Sequence, residues 1–264
     1  FPGSCYALAM AYSQAELVRL MGEGALPGET VVPKRIETVI SNVFIFPQTV
    51  YKLYKNDNPF FNGNFRDLSS KEIRFDFTRK DFAWNTALSP SIYRELRGVL
   101  VRDGAVEFVS AESGEAEELV FVMERVRSED VLFEKLLRGD ISEEDGRRMG
   151  SQLAESLARV RHSQLTGDYF EIFGKSIQDV REWVAGVPEH ISAEERERYC
   201  DFLEQFRQEH REWYEKELSG ELASSGDMHS HNAIYAEGTL FLMDTYPPKE
   251  EWIVAHELLP FYRL

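Results

Sequence analysis

Gly226-Asp227-Met228-His229-Ser230-His231-Asn232 interrupts a long helical pattern and opens a short hairpin. Two apolar runs follow it, Ala233-Ile234-Tyr235 and Thr239-Leu240-Phe241-Leu242-Met243, with Glu237-Gly238 between them as a turn signal. Asp244 stands directly after the second run. Asp227 and Asn232 lie on one loop and can point into one cavity, and an Asp at the end of the hairpin can join them. Two carboxylates and an amide suit a hard cation such as magnesium, which takes oxygen ligands and keeps several waters. One of the carboxylates can instead accept the proton of an attacking hydroxyl.

Upstream of this segment, apolar residues recur every three or four positions over Val131–Leu137, Ser142–His162 and Ile177–Glu217, the spacing of amphipathic helices. Their polar faces are rich in charge, as in Glu194-Glu195-Arg196-Glu197-Arg198, and read as solvated surface. The N-terminal half has a different character. Residues 35–55 are mostly β-branched or aromatic in two runs around Pro47-Gln48, a hairpin pattern. Tyr93–Val101 and Ala105–Ser110 flank Asp103-Gly104 and predict a second hairpin, and Leu119–Val126 predicts a further strand. Helices are expected at Ser13–Met21, with Ser13 as N-cap, and at Ser69–Leu88, with Ser69 and Glu72 as a capping box. Asn56–Asn64, rich in Asn, Pro and Gly, reads as loop. The expected organisation is α+β, a β-rich half to about Val126 and a helical half after it.

Composition narrows the function classes. The 264 residues include 18 Phe, 11 Tyr and 4 Trp, enough apolar surface to offset chain entropy and exclude a disordered chain. Two cysteines exclude a disulfide scaffold and read as reduced thiols. A net charge of −16 repels phosphate backbones and anionic lipid, so no nucleic acid and no membrane partner is expected. No apolar run reaches the roughly 20 residues of a membrane span. Cys5–Met10 is too short for a signal core and lacks a basic leader, so a cytoplasmic location is expected. His229 and His231 are of the type that binds zinc, yet no third ligand has fitting spacing; His229 is expected to brace the loop by hydrogen bonds.

Asp227-x-x-x-x-Asn232 followed by Asp244 resembles the catalytic segment of aminoglycoside phosphotransferase-like kinases. The resemblance extends through Glu37-Thr38-x-Ile40-Ser41-x-Val43-Phe44, Val50-Tyr51-Lys52-Leu53-x-Lys55, Phe65-x-Asp67-x-Ser69 and Asn85-x-x-Leu88-x-Pro90-x-Ile92-Tyr93. It is similar in particular to the kinase-like domain of bacterial proteins that also occurs fused to a P-loop ATPase domain. The resemblance implies a two-lobed protein-kinase-like fold, with an N-lobe at 1–126 and a helical C-lobe at 127–264. It implies an enzyme that uses ATP, or GTP, with Mg2+ to phosphorylate a small-molecule hydroxyl substrate: an aminoglycoside, a sugar or an amino-alcohol. An ATPase-domain partner is also implied.

Carried over residue by residue, Lys52 contacts the α- and β-phosphates and Asp81 stands where the family has its lysine-pairing Glu. Met123, Glu124 and Arg125 form the segment between lobes that meets adenine. Asp227 is the catalytic base, and Asn232 and Asp244 hold magnesium. Three departures keep a pseudokinase alternative open, a nucleotide-binding or scaffold module with little phosphotransfer. Ser225 replaces the family's His, Asp81 is a methylene shorter than Glu, and the sequence stops at Leu264, before the helices that usually complete the family's C-lobe. Acidic balance would favour a cationic acceptor.

Overall fold

Alternating side chains along residues 41–54 build the sheet on which the site rests. The computed structural model describes residues 13–64, 66–159, 163–164, 168–186, 188, 191–212, 221–222 and 228–245. Strands β2 (Ser41–Ile45) and β3 (Thr49–Tyr54) form the hairpin expected around Pro47-Gln48, with Val43 opposite Lys52 and Phe44 opposite Tyr51. A short exposed edge strand, β1 (Lys34–Glu37), pairs with β2. After two helices, β4 (Tyr93–Arg102) and β5 (Ala105–Ser110) form the second hairpin. Asp103 and Gly104 both take left-handed φ values of 52° and 77° there, the conformation a tight hairpin turn requires. Strand β6 (Glu118–Glu124) inserts between β3 and β4, giving the antiparallel order β1-β2-β3-β6-β4-β5.

Period-two alternation gives the sheet two apolar faces. Helix α1 (Gln14–Gly22) covers one, packing Leu17, Leu20 and Met21 on Phe44, Leu53, Val99 and Val120. The helix starts after Ser13, as expected, although the Ser13 side chain makes no capping bond. Helix α2 (Pro59–Asn64) follows β3. It replaces the loop expected over 56–64: Asn58 accepts the Phe61 N–H at 2.8 Å and Pro59 takes the first helical position. The Asn-Pro pair is thus a helix start rather than a breaker.

Helix α3 (Lys71–Leu88) covers the second face, packing Phe77 and Phe82 against Tyr54, Tyr93 and Phe121. Its N-cap is Ser70, one residue later than expected. Ser69 is instead bonded to Asp67 in the preceding turn.

The C-terminal half is helical: α4 (Leu132–Arg138), α5 (Glu143–Arg159), α6 (Tyr169–Ala185) and α7 (Ala193–Glu209). The single run expected from Ile177 to Glu217 is two helices. Pro188 falls between them, and Ser192 with Glu195 forms a capping box that starts α7. Arg181 meets Glu197 and Arg207 reaches the Phe170 carbonyl, so α6 and α7 run antiparallel. Two-residue strands β7 (Ser163–Gln164) and β8 (Glu221–Leu222) pair.

Strands β9 (Ala233–Ala236) and β10 (Thr239–Leu242) form the third expected hairpin, turning at Glu237-Gly238. Trp84 and Leu88 of α3 pack on it together with Leu132, Met149 and Leu153. Gln152 of α5 donates to the Gly238 carbonyl and accepts from the Leu240 N–H. Among the described residues no helix is long and apolar enough to cross a membrane.

Candidate functional site

Lys52 points from β3 toward α3 and is only 5 % exposed. A buried ammonium needs partners, and it has two: an ion pair with Asp244, 192 positions downstream, and a 3.1 Å hydrogen bond donated to the Tyr54 hydroxyl. Its charge also lies 4.7 Å from the centroid of the Tyr54 ring and 5.5 Å from that of Phe121, a favourable placement for a cation.

Asp244 directly follows β10 and holds a left-handed φ of 53°. Several bonds impose that conformation. The Asp244 N–H donates to the Tyr93 hydroxyl at 2.8 Å. The next residue, Thr245, is fully buried against α3. Asn85 donates to the Thr245 carbonyl at 2.8 Å and accepts its N–H at 3.2 Å, while the Trp84 indole donates to its hydroxyl at 3.1 Å. The Asp244 side chain remains 43 % exposed, unlike that of Lys52.

Asn232 ends a 3₁₀ turn, Ser230–Asn232, just before β9. Its carbonyl accepts the Met243 N–H at 2.7 Å, and its side-chain amide donates to the Asp244 carbonyl at 3.4 Å. The two oxygen-bearing side chains are therefore held together by the hairpin between them. A carboxylate whose side chain is partly open to solvent, on the same hairpin unit as a carboxamide, fits a magnesium ion whose other ligands are water and phosphate. Among the described residues no group of three His, Cys, Asp or Glu side chains is placed to hold a metal. The His231 ring stacks on Phe133 with centroids 3.8 Å apart. Asp227 and Ser225 lie outside the described residues.

Asp81 sits on the face of α3 that meets β3, one turn before Asn85, and is fully buried. It accepts the Tyr54 hydroxyl at 2.5 Å on one oxygen and the Asn85 amide at 3.1 Å on the other. The Tyr54 hydroxyl thus stands between Asp81 and Lys52. Burial pushes the Asp81 carboxyl up to about 6, against the pull of the Lys52 charge and the Tyr54 hydrogen bond, and with a further push from Asp244.

The folded state therefore binds this proton more tightly than the unfolded chain, whose carboxyl titrates near 3.8. The resulting cost to stability is absent below about pH 4, grows as pH rises, and is complete above about pH 6. Wild-type unfolding free energy is expected to fall relative to Asp81→Asn across that window, measured by urea titration at stepped pH. A flat difference would contradict the raised value.

Met123, Glu124 and Arg125 lie at the end of β6, two to four residues beyond Phe121, the cross-strand partner of Lys52. Met123 packs with Tyr54, Tyr93 and Phe121. Glu124 ion-pairs with Arg94, and its N–H donates to the Ile92 carbonyl at 2.7 Å. The Arg125 N–H donates to Gln48 O at 3.2 Å, and its guanidinium reaches Phe46 O at 3.3 Å. Arg125 thus ties the end of β6 to the β2–β3 turn and Glu124 ties it to β4, while Met123 packs beside the rings that surround Lys52.

The fold thus gathers Lys52, Asp81, Asn232 and Asp244. It adds Tyr54, Tyr93, Trp84 and Thr245, whose part in the cluster goes unread in the sequence. Tyr54 does carry a signal: two residues from Lys52 on one strand, it must share that lysine's face. No protein-family model matches the chain, and no curated protein matches it.

Proposed function

We propose that the chain is an ATP- and magnesium-dependent phosphotransferase that delivers a γ-phosphate to a small-molecule hydroxyl on a two-lobed, protein-kinase-like frame. The observation that carries the reading is the pairing of buried, strand-borne Lys52 with half-exposed Asp244 beyond a distant hairpin. A kinase-type site needs a strand lysine for the phosphates and a downstream Asp and Asn for the metal. In this reading Lys52 neutralises the phosphates, and Asn232 and Asp244 hold magnesium. Asp227 orients the acceptor hydroxyl and takes its proton. Bound magnesium would supply charge neutralisation on the β- and γ-phosphate oxygens. The net charge of −16 suits a cationic acceptor such as an aminoglycoside or amino-alcohol.

Asp81, a methylene shorter than Glu and bonded to Tyr54 and Asn85, favours a second reading, a nucleotide-binding regulatory module with little transfer, alone or beside an ATPase domain.

The test is a thermal-shift titration with ATP and GTP, with and without magnesium. A nucleotide at 100 times its Kd adds about 2.7 kcal/mol, roughly 5–10 °C in Tm for a chain of this size. Asp244→Ala should erase the magnesium dependence. Asp227→Ala should keep binding and lower transfer to an accepted hydroxyl substrate by about 10²–10⁴-fold. No shift with either nucleotide would refute both readings, while binding without transfer to any acceptor would select the second.

A further inference from the structure

A lysine that must present its charge to phosphate needs something to hold it on the far side. Asp81 is poorly suited to do so directly, because its carboxylate reaches about 1.5 Å less far from the helix than a Glu would. Between the two stands the Tyr54 hydroxyl, 3.1 Å from the Lys52 ammonium and 2.5 Å from the Asp81 carboxylate. We infer that Tyr54 is the positioning residue for Lys52, a hydroxyl relay that makes up the missing length between the helix carboxylate and the lysine. The inference rests on the phosphotransferase reading and deepens it.

The direction of each bond supports the relay. An ammonium can only donate, so the Tyr54 oxygen accepts from Lys52 and its own proton must go to Asp81. Asp81 in turn accepts from both Tyr54 and Asn85, so every member has a defined role. Asn85 links the relay to the segment after Asp244 through Thr245.

The relay is rigid. The Tyr54 ring is 1 % exposed and packs edge-on against Phe77 at 5.0 Å and Phe121 at 5.9 Å. Its backbone carbonyl accepts the Gln14 side chain at 3.0 Å. A hydroxyl on a flexible side chain could not set the position of an ammonium, but this one cannot swing away.

The test is calorimetric titration of magnesium–ATP into the full chain, with the unfolding midpoint of each variant measured alongside. Tyr54→Phe keeps the ring packing and removes only the hydroxyl. It is expected to weaken magnesium–ATP by about tenfold, the worth of one charge-assisted hydrogen bond, and to lower the midpoint by several degrees, because buried Asp81 keeps only its Asn85 bond. Asp81→Ala removes the acceptor at the other end of the relay and should cost a similar factor. Restoring the missing methylene in Tyr54→Phe/Asp81→Glu should recover most of the affinity, because the longer carboxylate can reach Lys52 itself. A merely structural role for Tyr54 would not produce that rescue.

Wild-type affinity in either single variant overturns the relay, and so does a Tyr54→Phe defect that Asp81→Glu leaves in place. Failure of the wild-type chain to bind magnesium–ATP refutes the phosphotransferase reading instead, and shows itself before any variant is compared.

Discussion

Lys52→Met is expected to abolish the chain's hold on magnesium–ATP while leaving its stability close to that of the wild type. The affinity loss should be about 100-fold or more, since an ammonium on phosphate makes charge-assisted bonds worth about 1.5–3 kcal/mol each. The stability expectation follows from what Lys52 leaves behind. Asp244 is 43 % exposed on its side chain and can be hydrated when its partner goes. Tyr54 still donates to Asp81. Asp81 loses the positive charge that offsets its burial, so its carboxyl is pushed further up and takes up a proton more readily. Methionine fills a similar volume and packs well on the Tyr54 and Phe121 rings. The usual cost of removing one partner of a buried pair comes from the charge left stranded, and Asp244 is open enough to water to avoid it. Calorimetry and urea titration on one preparation check both halves. Unchanged affinity would remove Lys52 from the nucleotide site, and a collapse in stability would recast it as a structural residue.

Glu118→Ala has the opposite profile, a large loss of stability from a residue that touches no part of the proposed chemistry. Glu118 on β6 and Arg74 on α3 are 1 % and 4 % exposed on their side chains. The guanidinium donates to both carboxylate oxygens, through Nε at 2.8 Å and Nη2 at 2.5 Å. Gln14 of α1 donates to the same carboxylate at 3.0 Å and to the Tyr54 carbonyl at 3.0 Å. One carboxylate therefore ties both flanking helices to the sheet. Its removal leaves Arg74 buried with only the Leu68 and Ser69 carbonyls for company. Breaking a buried pair on one side costs about 3–5 kcal/mol, roughly 10 °C in Tm for a chain of this size. An apolar pair, Arg74→Met with Glu118→Leu, should recover most of that, because neither charge is then stranded. A loss below about 1 kcal/mol in the single variant would match an exposed pair instead.

The elements that sequence patterning places correctly are those whose cause is local. The hairpins at Pro47-Gln48, Asp103-Gly104 and Glu237-Gly238 are legible because turn chemistry and period-two alternation act over a few residues. Where the sequence reading slips, a competing local bond decides. Asn58 and Pro59 begin a helix where an Asn-Pro pair also suits a loop. Asp67 engages Ser69, so the cap passes to Ser70. Continuous amphipathic spacing hides the break between α6 and α7, although Pro188 and the Ser192–Glu195 box mark it.

The candidate site divides along the same line. Spacing alone nominates Asn232 and Asp244, because a loop, a two-stranded turn and a strand end form one short unit that brings its ends together. Asp227 belongs to the same motif but lies outside the described residues. The meeting of Lys52 with Asp244 across 192 positions is set by tertiary structure alone. So is the wedge of Tyr54 between Lys52 and Asp81. Alternation says that Lys52 and Tyr54 share a face, but not which helix covers it or at what depth. That distance is set by packing, through Phe77, Phe82 and Phe121 beneath α3 and the Arg74–Glu118 pair that holds the helix down. A shift of about one methylene there separates a direct ion pair from a relayed one, and no pattern in the chain encodes so small a length.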